Sequence, residues 1–322
     1  MLWMCAAGPT CAQQRPEWAF FVPNPESEKL DPALPLQPGA WTRPGSSRTY
    51  SGPQLEDPLN PPDWYPDEHP AMPEVVARGG ERAQVRAAPL PCALCHLPNG
   101  AGHVESASLA GLSVGYIEAQ FAAWRDGARH VMDGAANNGD FLTALKGAYT
   151  PAQVHAAAEY YAALTPRPWI RVVESRSVAP SAVLPNSLMR LAIPGQPLEP
   201  LGERIVELPE DPIGLQVRDS HSGFVAYVPV GSVAAGRALV THTPARNGQM
   251  PCTSCHGARL TGLADIPPLA GRQPSYMVRQ LWGYKSGTRS GAAAAPMIAV
   301  AAHLSVNDML CIAAYLASLP PR

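Results

Sequence analysis

The last helix of this chain can be read from where its apolar residues fall. Leu310, Ala314, Tyr315 and Leu319 recur at the 3.6-residue spacing of one helical face. Ser305 stands before Val306-Asn307-Asp308 as an N-cap, and Pro320 ends the run. A second stretch has the same punctuation. Thr150 precedes Pro151 at a first helical position, the residues 158–164 follow, and Pro166 closes it. Two further helices are predicted through Tyr116 to Arg125 and Tyr276 to Lys285. Between these helical regions the period changes. The stretches 169–173, 204–208 and 223–228 alternate and are rich in branched and aromatic residues, so they predict short strands.

The helical stretches are copies of each other. At an offset of 160, Gly102 matches Gly262, Leu109-Ala110-Gly111 matches Leu269-Ala270-Gly271, and Tyr116 matches Tyr276. Gln120 with Gln280, Gly127 with Gly287 and Arg129 with Arg289 continue the series. The offset then falls to 155, so the first copy carries five extra residues between Arg129 and Tyr149. Self-similarity of this kind marks a duplicated domain. A unit of about 80 to 90 residues is small for an independent core, so each copy needs something large and apolar at its centre.

The chemistry begins with two five-residue segments, Cys92-Ala93-Leu94-Cys95-His96 and Cys252-Thr253-Ser254-Cys255-His256. Cys-x-x-Cys-His is the attachment pattern of c-type haem. Two thiols three positions apart on one turn each add to a vinyl group of the porphyrin, and the adjacent histidine binds the iron. Cys92, Cys95, Cys252 and Cys255 are therefore the candidate attachment residues, His96 and His256 the candidate proximal ligands, and two covalent haems the expected cofactors. Haem of this type is attached outside the cytoplasm, so a periplasmic, exported protein is expected. Residues 1–12 read as a poor signal remnant with no positive n-region. No run of about 20 apolar residues is present, so no membrane span is predicted.

The segments CTSCHG, PPLAGRQPSYMVRQLWGYKSGTR and LSVNDMLCIAAYLASLP, with Met297, resemble the class I cytochromes c, and in tandem the dihaem proteins of the cytochrome c-four type. The resemblance implies a mainly α fold of two class I cytochrome c domains; the residues outside it add a β-rich, irregular connector between them and a long Pro-rich arm before them. The corresponding division is 13–69 for the arm, 70–167 for the first haem domain, 168–230 for the connector and 231–322 for the second haem domain. The arm reads as extended and wraps the haem domains from about residue 60. The resemblance makes Met297, in the small-residue loop before the last helix, the distal ligand of the second iron. It also gives the Pro267 carbonyl the second nitrogen of His256. Ala107 stands at the matching place in the first copy, so His96 must find another carbonyl.

The first distal position stays open. Counting back at offset 155 places Leu142 where Met297 stands, and leucine binds no iron. Met132 is the nearest methionine; His130 or His103 would give a bis-histidine haem; an open iron is the third outcome. Three cysteines lie outside the motifs, and of these Cys311 reads as an unpaired packing residue. The net charge of −2 hides an uneven distribution: residues 233–322 carry eight basic and two acidic side chains. Arg272, Arg279 and Arg289 either offset haem propionates or help dock an acidic partner. Export and the lack of basic–aromatic clusters exclude nucleic acid. The motifs and the repeat together imply a dihaem electron carrier of a respiratory chain, working between redox donor and acceptor proteins such as a dehydrogenase and a terminal oxidase. The competing reading is a dihaem redox enzyme, peroxidase-like or sulfur-compound-oxidising, reacting at the first haem.

Overall fold

A computed structural model describes residues 14–20, 39–80, 90–130, 145, 147–183, 190–241 and 250–321. The signal remnant, Met132 and Leu142 lie outside the described residues.

The arm is less extended than its prolines imply. Strands β1 (Ala40–Thr42) and β2 (Thr49–Ser51) form a hairpin with Trp41 opposite Tyr50. Helix α1 (Gly52–Glu56) follows, started by a capping box in which Ser51 and Gln54 satisfy each other's backbone amides. This unit docks on the connector, while the arm from residue 60 on also reaches the first haem domain, where Arg167 pairs with Glu68 and Tyr160 stands edge-on to His69 at 6.1 Å. Leu55, Trp64, Tyr65 and Val217 form one buried cluster, and Trp64 Nε1 donates to the Val217 carbonyl at 2.8 Å. Arg43 fastens it further, with a 2.6 Å bond to the buried Asp219 and a second ion pair to Asp211. Trp64, with Trp41 packed against the same cluster, is thus an anchor whose target is a turn more than 150 residues away.

The first haem domain contains α2 (Glu74–Ala77), α3 (Cys92–His96), α4 (Val114–Arg125) and α5 (Pro151–Ala163). Thr150 caps α5 with Gln153 in a capping box. Val75, Val76, Ala93, Ala110, Ala157, Tyr160, Tyr161 and Leu164 pack together around the attachment turn.

The connector builds β3 (Ile170–Ser175), β4 (Ser177–Val178), β5 (Ser181–Val183), β6 (Arg190–Ala192), β7 (Glu199–Pro200), β8 (Val206–Pro209), α6 (Pro212–Gln216) and β9 (Phe224–Pro229). The three stretches that alternate in sequence meet in one sheet of order β3-β9-β8. β3 and β9 are parallel, from Ile170↔Phe224 to Ser175↔Pro229, and β8 is antiparallel to β9. A parallel pair needs a long crossover; residues 176–223 supply it.

The second haem domain contains α7 (Ser232–Thr241), α8 (Thr253–His256), α9 (Pro274–Ser286), α10 (Ala295–Ala302) and α11 (Val306–Ser318). α7 and α11 cross at Gly236, where an added Cβ would lie 1.8 Å from the Cys311 carbonyl oxygen. Only glycine permits that approach. The core of this domain also takes in Ala19 and Phe20 from the N-terminal segment and Ala226 and Val228 from β9. One face of the connector sheet therefore belongs to the second domain. Its other contacts reach the first domain, where Val104 packs with Val183, Leu215 and Phe224.

Candidate haem-attachment sites

Both Cys-x-x-Cys-His segments fold as a single helical turn closed by the same loop. In the first, the Gly102 amide donates to the His96 carbonyl at 3.0 Å and the Leu109 amide to Gly100 at 2.8 Å. In the second, Gly262 donates to His256 at 3.0 Å and Leu269 to Leu260 at 2.9 Å. Gly102 and Gly262 have φ of +77° and +82°, and a Cβ on Gly102 would come within 2.6 Å of the Ala107 carbonyl oxygen. That oxygen has a function. His96 Nδ1 lies 2.8 Å from it, and His256 Nδ1 lies 2.8 Å from the Pro267 carbonyl. His96 therefore needs no substitute acceptor. The acceptor is a backbone oxygen, which alanine supplies as well as proline once the loop is held in the same shape.

A carbonyl only accepts, so each imidazole carries its hydrogen on Nδ1 and leaves Nε2 with a bare lone pair. Burial keeps both rings neutral: it pulls the His96 pKa down to about 4, against the opposing Ala107 bond, and lowers that of His256 in the same way. A neutral, oriented imidazole is what an iron ligand must be. Burial raises the thiols of Cys92 and Cys95 to about 12 and about 11. Around this first turn, Trp124 Nε1 and Tyr161 Oη are buried with no hydrogen-bond partner. Orphaned donors in an apolar interior fit a cofactor that brings its own acceptors. The residues present fit haem in both copies.

Met297 does not lie in a loop. It is half-buried in the first turn of α10, behind Pro296. Four small residues followed by a proline look like a linker, but small residues also form helices readily, and Pro is well placed at a helix start. Of the first-copy candidates, His130 is exposed and its amide bonds Thr288 of the second domain at 2.8 Å. His103 is buried, with Nδ1 3.2 Å from Glu105, on the loop that closes over the His96 carbonyl. It therefore belongs to the His96 side of the site.

Part of the basic character of the second domain is interior. Arg272, Arg279 and Arg289 are 7 %, 4 % and 5 % exposed, which rules them out as a docking face. Arg272 donates to the carbonyls of Ser108 and Ala110 at 2.8 and 3.0 Å, and Arg279 to those of Val104 and Ala19 at 2.8 and 2.7 Å. Gln273 adds a 2.6 Å bond to the His103 carbonyl. The N-terminal half of α9 is thus seated on the loop that orients His96. Sequence reading missed Gln273 and Arg272 in this role because their first-copy counterparts are Ser113 and Leu112. The repeated pairs Gln120/Gln280 and Arg129/Arg289 were visible and also lie at this interface.

No family model matches the chain. It is 41% identical over 68 residues to cytochrome c-554(548) of Halomonas halodenitrificans, covering 21% of this chain and 82% of that protein. It is 37% identical over 89 residues to the thiosulfate dehydrogenase electron acceptor of Stutzerimonas stutzeri, covering 27% of this chain and 40% of that protein. The solved structure of thiosulfate dehydrogenase (TsdBA) from Marichromatium purpuratum matches with a TM-score of 0.46 and 28% identity, over 73% of this chain and 37% of that one. The match to the electron acceptor therefore spans less than half of that relative's length. With two copies of one attachment geometry and a relative matched over most of its length, this chain belongs to the c-type cytochromes, as a tandem dihaem member with covalently bound haem that resembles cytochrome c4.

Proposed function

We propose that this dihaem cytochrome is a periplasmic electron carrier that accepts electrons from a dehydrogenase and passes them to a terminal oxidase or reductase. The observation that carries the reading is the duplicated 2.8 Å bond from histidine Nδ1 to a loop carbonyl, eleven residues on in each copy. Cys92 and Cys95 hold one haem and Cys252 and Cys255 the other, with His96 and His256 as proximal ligands. Met297 is the distal ligand of the second iron, and Met132 its counterpart at the first. The bound haems supply a one-electron iron couple.

The protein's own residues do the rest. The two imidazoles stay neutral and fixed in orientation, the packed helices exclude water, and no proton-transfer dyad is required. Among the described residues no single helix is long and apolar enough to cross a membrane. A thiosulfate dehydrogenase is the favoured donor, because the Stutzerimonas stutzeri relative is named as the acceptor of one.

Two measurements test the reading. Intact-mass analysis of the periplasmic protein is expected to show two haem additions; one addition overturns the dihaem assignment. Stopped-flow mixing with thiosulfate dehydrogenase and thiosulfate is expected to reduce both haems. Reduction by other dehydrogenases but not by this one would replace the donor and keep the carrier.

A further inference from the structure

The connector turn 217–221 is held from two directions. The arm grips it through Trp64 on the Val217 carbonyl, 2.8 Å, and Arg43 on Asp219, 2.6 Å. The first haem domain grips it through Asn99, whose Nδ2 donates to the Ser220 carbonyl at 2.8 Å. Asn99 lies three residues beyond His96. Between these anchors stands Arg218, with φ of +53°, a left-handed conformation that a non-glycine residue adopts only where its surroundings impose it.

Its guanidinium is turned inward. One terminal nitrogen donates to the Leu55 carbonyl at 3.3 Å, and Nε is buried with no partner. Glu105, on the loop that closes over the His96 carbonyl, opposes the desolvation of this guanidinium, and Glu105 Oε2 is itself buried without a partner. Desolvation lowers the Arg218 pKa, yet a guanidinium remains charged at neutral pH. The second copy has no equivalent cover. There Cys255 is exposed, as are Leu263 and Ala264, which match His103 and Val104 of the sealed first loop.

We propose that Arg218 sets the reduction potential of the first haem, as a fixed buried cation that the arm and connector hold against the loop following His96. The inference rests on the two-haem reading above. Reduction adds one electron to the iron and removes one positive charge from the site. A neighbouring cation in a poorly screened interior disfavours the oxidised form and so raises the potential. Arg218 touches neither the iron nor a substrate; its effect is through the field, and Glu105 opposes it.

The test is a spectroelectrochemical titration of the complete haem-loaded protein. Arg218→Gln is expected to shift the oxidised-to-reduced ratio of one haem by about tenfold, a fall of about 59 mV for a one-electron couple, and to leave the other unmoved. Arg218→Lys keeps the charge and is expected to restore most of the shift. Glu105→Gln is expected to raise the same potential, and it serves if Arg218→Gln does not fold. The proposal is overturned if the potential is unmoved, if Gln and Lys variants shift it alike, or if both haems move together. A wild-type protein with only one titrating haem would instead overturn the two-haem reading.

Discussion

Arg129 and Arg289, 160 residues apart and equivalent in the internal repeat, lie opposite each other in an antiparallel β-bridge between the two haem domains. Each reaches both glutamines of the equivalent pair. Arg129 donates to Gln120 and Gln280, 3.2 Å each, and Arg289 to Gln280 at 3.0 Å and Gln120 at 2.5 Å. The main chain closes the join, with Ser290 donating to the Ala128 carbonyl at 2.7 Å. Residues equivalent in the repeat meet each other, so the domains are related by a local two-fold relationship. Two cations, Arg289 buried and Arg129 half-buried, would repel at this distance; shared acceptors and Tyr276 offset that. Burial raises the Tyr276 pKa, but Arg129 and Arg289 outweigh it and the net shift is downward.

Because the four side chains share partners, their energies should not add. Arg129→Ala and Arg289→Ala are each expected to destabilise, and a double-mutant cycle in chemical denaturation to give a coupling of about 1 to 2 kcal/mol. Additive losses would mean that each arginine serves its own domain alone.

Gly236→Ala is a sharper test of packing in the second domain. The new methyl group would have to displace the Cys311 carbonyl from 1.8 Å, so α7 and α11 must separate. The expected cost is about 1 to 3 kcal/mol or more, read as a lower melting temperature. An unchanged melting temperature would show that the two helices slide freely past each other.

How much of this fold is legible in the sequence depends on the range of each interaction. The terminal helices are legible because Thr150 with Gln153 and Ser305 with Asp308 are local capping boxes. The attachment turns are legible because five adjacent residues carry the chemistry. The three strands are legible as strands but not as neighbours: pairing Ile170 with Phe224 needs a crossover that leaves no periodic trace. The roles of Arg218, Arg272 and Gln273 are hidden for a similar reason. Each serves carbonyls of a distant segment, and backbone acceptors are the same at every residue. The positive charge of Arg272 therefore suggests a surface that the fold does not present.

Glu207 gives a prediction about pH. It is 3 % exposed between β8 and α9, accepts a bond from the Ser275 hydroxyl, and leaves Oε1 unpartnered. Burial raises its pKa from 4.5 to about 7, with Ser275, Arg279 and Arg190 opposing. The folded chain thus holds a proton that the unfolded chain releases. This contribution is complete below pH 4.5 and is lost as pH rises through about 7. Glu207→Gln is expected to flatten the stability profile between those limits, a difference of about 3 kcal/mol. A wild-type profile that rises with pH through the same window, and is unaltered in the variant, would show Glu207 already ionised in the fold.

The proposed distal ligand Met297 rides on α10, so its placing depends on how that helix is held. Its C-terminal end is pinned by Lys285 of α9, whose Nζ donates to the carbonyls of Ala302 and Leu304 at 3.0 and 2.8 Å. A cation at a helix C-terminus also meets the negative end of the helix dipole. Met297 therefore sits on a clamped helix, and its sulfur need not order a loop in order to bind. Met297→Ala is expected to abolish one near-infrared sulfur–iron band of the oxidised protein and to lower the potential of that haem alone. Lys285→Ala leaves the sulfur in place but frees the helix end. It is expected to keep the band while letting carbon monoxide compete more readily for the reduced second haem. If Met297→Ala leaves the spectrum intact, Met297 is a packing residue of α10. If Lys285→Ala leaves carbon monoxide binding unchanged, the clamp has no part in ligation.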